Sequence, residues 1–102
     1  MTSEKDLQNA CMEYMDTLGI KYYHRYNYTS QKNRKSVHKK FKGYPDFTIP
    51  LSETTIYVEL KFGNNGLTDE QKEWELYFKE TQNPFYVVRG LEEFQEIIER
   101  WK

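Results

Sequence analysis

Apolar side chains at Leu7, Ala10, Cys11, Tyr14 and Leu18 recur every three or four positions, the spacing of one face of an α-helix. Ser3 is placed to cap that helix at Glu4, and Gly19 supplies its C-terminal stop. The pattern then changes. IKYYHRYNY, residues 20–28, is rich in β-branched and aromatic side chains and reads as a strand. The polar SQKNRKSVHKKFKG, residues 30–43, reads as a long loop or hairpin tip. Two further strands follow at residues 45–49 and 55–62, separated by the turn-rich PLSET, with Pro50 closing the first of them. Thr68 and Gln71 form a capping box for a second helix, whose buried face is expected to carry Trp74, Tyr77 and Phe78. Residues 84–88 make a short apolar strand, and Leu91, Phe94, Ile97, Ile98 and Trp101 trace the inner face of a last helix. The order is αβββαβα. The run from the third strand through the second helix to FYVVR is long enough for a right-handed βαβ crossover. Those two strands should therefore be parallel, in a mixed α/β sheet with helices against it.

A chain of 102 residues with 37% apolar and 17% aromatic content supports one compact domain, residues 1–102. Its 30% charged content would suit disorder, but 9 Tyr, 6 Phe and 2 Trp at regular spacings argue for a folded core. No apolar run approaches the roughly 20 residues of a membrane helix, and MTSEKDLQNACMEY lacks the basic-then-apolar order of a signal peptide. The expectation is a soluble, intracellular, cytoplasmic protein with no membrane partner. Cys11, the single cysteine, can form neither an internal disulfide nor a Cys-based zinc site.

The net charge of -1 conceals a segregation. Residues 21–43 hold Lys21, Arg25, Lys32, Arg34, Lys35, Lys39, Lys40 and Lys42 and no acid, which leaves the remainder strongly acidic. Interleaved with Tyr22, Tyr23, Tyr26, Tyr28, His24 and His38, such a block fits a polyanion, with rings available for stacking or packing. It fits a solvated basic loop equally well.

The stretch GYPDFTIPLSETTIYVELKF places Asp46, Glu59 and Lys61 in otherwise apolar strands. Residues two apart in a strand share a face, so Glu59 and Lys61 project together with Tyr57, away from Val58 and Leu60. An isolated E-x-K is most often an exposed ion pair. If the two strands pair, however, Asp46 sits beside Glu59, and two carboxylates held close repel unless a cation lies between them. Carboxylate oxygens are the ligands that hard ions such as Mg²⁺ or Mn²⁺ prefer. Helical periodicity turns Glu4 and Gln71 towards the same place. The first-turn position of Glu4 also suits the helix dipole, and the capping box alone explains Gln71.

P45-D46 followed by E59-L60-K61 resembles the core motif of the PD-(D/E)xK nuclease superfamily. G43-Y44-P45-D46, E59-L60-K61 and the helix T68-D69-E70-Q71 are together similar to the virus-type replication-repair nuclease (VRR-NUC) domain, over nearly the entire chain. The resemblance implies a restriction-endonuclease-like αβββαβα core. It implies Mg²⁺ or Mn²⁺ held by Asp46, Glu59 and the backbone carbonyl of Leu60, with Glu4 a further candidate ligand. Lys61 would meet the attacking water or the scissile phosphate, with Gln71 completing the catalytic set. No side-chain nucleophile is required, in keeping with the lack of a Ser-His-Asp or Cys-His arrangement.

The expected function is a metal-dependent DNA endonuclease of viral or phage-type replication and repair. Arg25, Lys32, Arg34, Lys35, Lys39, Lys40 and Lys42 would hold the phosphate backbone. With little surface beyond the core, a homodimer acting on branched DNA, a four-way (Holliday) junction above all, is expected by analogy with stand-alone members of the family. The alternative is a non-catalytic nucleic-acid-binding module with a nuclease-like fold. A protein-interaction domain would account for neither the basic block nor the strand carboxylates.

Overall fold

A computed structural model describes residues 2–25 and 40–102. The first helix, α1 (Glu4–Thr17), begins where expected: the Ser3 hydroxyl accepts the Asp6 N–H at 3.1 Å. It ends at Gly19, whose φ of 70° lies in the left-handed region that glycine adopts without a Cβ clash. The Ile20 N–H closes back on the Met15 carbonyl at 3.0 Å. That bond holds the chain in the helix-terminating turn, so β1 (Tyr23–His24) starts later than residue 20. Residues 26–28 of the expected strand lie outside the described residues.

β2 (Phe47–Pro50), β3 (Thr55–Leu60), α2 (Asp69–Glu80), β4 (Phe85–Val88) and α3 (Leu91–Trp101) complete the order αβββαβα. The four strands form one sheet in the order β1-β2-β3-β4. The first two pairings are antiparallel, and β3 runs parallel to β4 as the crossover length requires. Pro50 is the last residue of β2, and β3 stops at Leu60, short of Phe62, although the Lys61 N–H still reaches the Val88 carbonyl at 2.9 Å.

Alternation divides the sheet into two faces. Phe47 and Ile49 of β2, Ile56, Val58 and Leu60 of β3 and Val88 of β4 pack on Leu7, Cys11 and Met15 of α1 and on Phe94, Ile97 and Ile98 of α3. The other face meets α2, where Phe78 stacks on Tyr57 with centroids 4.3 Å apart and on Phe85 at 5.7 Å. On α2 the buried residues are Gln71 and Phe78, while Tyr77 is 55% exposed, contrary to the expected buried face. Each residue turns about 100° around a helix, so a line through 71 and 78 carries 77 off to the side. Among the described residues no helix is long and apolar enough to cross a membrane.

Candidate active site

Three strands converge on Asp46. Phe47 pairs with Val58, which sets Asp46, one residue before β2, opposite Glu59. The Asp46 Oδ2 accepts the Leu60 N–H at 2.8 Å, taking the place of a β2 carbonyl, and the Asp46 carbonyl accepts the Arg25 N–H at 2.9 Å. The Leu60 N–H points towards β2, and strand alternation puts its carbonyl on the same side. Pro45, fully buried, fixes the approach to this position. Two residues earlier, Gly43 has φ 83°, and a Cβ there would lie 2.6 Å from the Glu70 carbonyl carbon and 2.8 Å from the Gln71 nitrogen. Only a glycine lets the turn before Asp46 lie against the first turn of α2.

That first turn presents Gln71. The Thr68 hydroxyl accepts the Gln71 N–H at 3.2 Å, and the Gln71 Oε1 accepts the Thr68 N–H at 2.9 Å, closing the capping box. The amide nitrogen remains, and Nε2 donates to Glu59 Oε2 at 2.8 Å. Cap and site contact are thus two ends of one side chain.

Glu59 is 2% exposed and Asp46 6%. Glu59 Oε1 is buried with no hydrogen-bond partner among the described residues. Burial, then the negative charge of Asp46, pushes the Glu59 carboxyl up to about 8. Glu4 adds to the rise, while Arg25 and Lys61 oppose it. Lys61 is itself buried, 9% exposed, on the strand face it shares with Glu59. Burial, with the charge of Asp46 second, also pushes the Cys11 thiol up to about 12, so it stays protonated and offers no nucleophile. Burial draws His24 down, against the pull of Asp46.

A cavity of about 590 Å³ opens over the acids, lined by Asp46, Glu59, Gln71, His24 and Arg25 and by Glu4, Lys5, Gln8, Asn9 and Met12 of α1. Glu4 is exposed at its rim rather than turned into the protein. No three His, Cys, Asp or Glu side chains among the described residues converge to hold a metal ion, so Glu4 does not complete a three-acid cluster. The donor set is two carboxylates, one with a bare buried oxygen. That set fits Mg²⁺ or Mn²⁺, since Mg²⁺ is commonly held by one or two carboxylates and fills its remaining positions with water and substrate phosphate.

Lys40 and Lys42 lie elsewhere, along a groove of about 630 Å³ with Glu70, Glu73, Trp74 and Tyr77. The Lys42 Nζ is 3.8 Å from Glu70 Oε2, and its carbonyl accepts the Trp74 indole N–H at 3.0 Å. Lys32, Arg34, Lys35 and Lys39, with Tyr26, Tyr28 and His38, lie outside the described residues. Charge totals group Arg25 with these cations, and they say nothing of Gln8 and Met12, which follow Glu4 at i+4 and i+8 along the α1 face that lines the cavity. The helical spacing is a sequence signal, whereas the pairing of His24 with Phe47 that brings Arg25 opposite Asp46 is a long-range register the sequence does not print.

No protein-family model matches the chain, and no curated protein matches its sequence. Its fold is matched by solved structures. A VRR_NUC domain superposes with a TM-score of 0.70 over 100% of both chains at 19% identity. A VRR_NUC domain protein superposes with a TM-score of 0.76 at 20% identity, covering 97% of this chain and 87% of its own. At such identities the likeness is one of fold. The chain has the α/β, restriction-endonuclease-like fold of VRR-NUC domains.

Proposed function

We propose that this chain is a metal-dependent endonuclease that hydrolyses phosphodiester bonds in DNA, with branched DNA, a four-way junction foremost, as its substrate. The observation that carries the proposal is the buried pair Asp46 and Glu59, on one face of the sheet, with Glu59 Oε1 left without a partner. Such a pair costs free energy in isolation and is stabilised by a cation. Asp46, Glu59 and the Leu60 carbonyl would hold Mg²⁺ or Mn²⁺. When bound, such an ion lowers the pKa of water and offsets the charge that builds on the phosphate.

The chain's own groups do the positioning. Leu60 N–H fixes one oxygen of Asp46, and Gln71 Nε2 fixes one oxygen of Glu59, so each acid keeps its second oxygen for the site. Lys61, buried on the strand face it shares with Glu59, would place its amine where negative charge develops on the substrate phosphate. The basic residues of 21–43 supply the long-range attraction to the DNA backbone, and binding should weaken steeply with added salt. Two copies of so small a chain would set two sites against the two strands of a junction.

The test is a cleavage panel of four-way junction, flap, single strand and linear duplex, with Mg²⁺, Mn²⁺ or EDTA. Cleavage should require the metal and vanish in Asp46→Asn and Lys61→Ala variants whose circular dichroism shows them folded. Binding without cleavage under every metal would overturn the proposal in favour of a non-catalytic binding module.

A further inference from the structure

Arg25 leaves β1 into the cavity rather than onto an outer basic surface. Its N–H is fixed to the Asp46 carbonyl at 2.9 Å, so the side chain is registered to the carboxylate site by the backbone itself. It lines the cavity with Asp46, Glu59 and Gln71. Its Nε is buried with no hydrogen-bond partner among the described residues, and neither ion pair found among them involves it. An arginine serving as a structural counter-ion would close on one of the two acids to ion-pair distance, and this one does not. Its charge still reaches Glu59, where it favours the ionised carboxylate ahead of Lys61.

A desolvated guanidinium N–H without an acceptor, facing two carboxylates across a gap, calls for an anion that can bridge to a cation. A phosphate diester has that chemistry, with oxygens for the guanidinium fork and others for an ion held by the acids. We infer that Arg25 binds the reacting phosphate inside this cavity, acting as a catalytic residue and not as a flanking backbone contact. The inference rests on the nuclease reading for the identity of the substrate. The planar fork is the distinguishing feature, since a lysine can supply the charge but not two parallel donors.

The test pairs two measurements on wild type, Arg25→Gln and Arg25→Lys. One is the single-turnover rate of DNA cleavage at saturating Mn²⁺. The other is binding of thymidine 5′-monophosphate in Ca²⁺, followed by NMR shifts, with thymidine as the phosphate-free control. Arg25→Gln should cleave about 100-fold more slowly or worse, in line with the loss of one transition-state donor. It should bind the nucleotide about 10-fold more weakly while thymidine binding is unchanged, and Arg25→Lys should recover part of both. If wild type cleaves and Arg25→Gln cleaves at a similar rate, the inference fails and the nuclease reading stands. If wild type cleaves no substrate, the nuclease reading fails and the nucleotide titration alone decides. Weaker binding by Arg25→Gln then keeps the phosphate site, and equal or absent binding in both proteins ends it. Should Arg25→Gln not fold, the lysine variant carries the test, and full wild-type rate and affinity in it overturn the inference.

Discussion

Replacing Glu59 by Gln should stabilise the metal-free protein at neutral pH, although it removes a group from the heart of the proposed site. Glu59 rises from an ordinary 4.5 to about 8, through burial first and the Asp46 charge second. The folded state therefore keeps a proton that the unfolded chain gives up. Between those two values stability falls as pH rises, by up to about 1.4 kcal/mol per pH unit for one proton, and it levels off above the folded value. By about pH 7 the cost is roughly 3 kcal/mol, a large share of the 5–15 kcal/mol that holds a domain together. An amide of the same shape keeps an oxygen for the Gln71 Nε2 and carries no charge, so most of the slope should vanish in Glu59→Gln. The assay is urea unfolding in EDTA, followed by tryptophan fluorescence, at about pH 5.5, 6.5, 7.5 and 8.5. Wild type should lose stability across this series while Glu59→Gln stays nearly flat. Mn²⁺ should restore the wild type at high pH and, near neutrality, release up to about one proton per ion bound. Stability that is flat or rising with pH in EDTA, or a variant profile parallel to the wild type, would refute the reasoning.

Other consequences can be checked in the same protein. Gly43→Ala forces a Cβ to within 2.6 Å of the α2 backbone at φ 83°, so it should cost at least about 1–3 kcal/mol in urea unfolding and shift the Gln71 amide resonance. Wild-type stability would show that the close approach is wrong. Asp46→Asn keeps an oxygen for the Leu60 N–H but removes the like charge beside Glu59. It should therefore unfold at higher urea than wild type in EDTA near pH 8 while binding Mn²⁺ about 10-fold more weakly or worse by calorimetry. Cys11, fully buried and with its thiol pushed up to about 12, should react with an aromatic disulfide reagent only as fast as the protein unfolds, and prompt native-state labelling would contradict its placement.

Local chemistry made much of this molecule readable from its sequence. The cap of α1, the capping box of α2 and the parallel β3–β4 crossover depend on residues near one another in the chain, and each is present as expected. The pairing of Asp46 with Glu59 was legible because a short turn between alternating strands leaves few registers that bury the apolar face. What escaped depends on distant contacts. β1 starts later than its composition implies because the Met15 carbonyl captures the Ile20 N–H. Tyr77 is exposed because Gln71, a polar residue, shares the inward line of α2 with Phe78. Arg25 was counted as one cation in a basic block, since charge totals carry no information about which strand position meets Asp46. Glu4 lies on the inward-facing side of the periodicity, yet the first turn of α1 stands at the cavity rim, beyond the packed core.

The central claim is that Asp46 and Glu59 share one divalent cation. Anomalous diffraction from crystals soaked in Mn²⁺ addresses it directly. A peak is expected within about 2.0–2.4 Å of one oxygen from each of the two carboxylates, weakened or lost in Asp46→Asn and in Glu59→Gln. A saturating soak that leaves the space between them without a peak, or that places manganese only elsewhere, would contradict it.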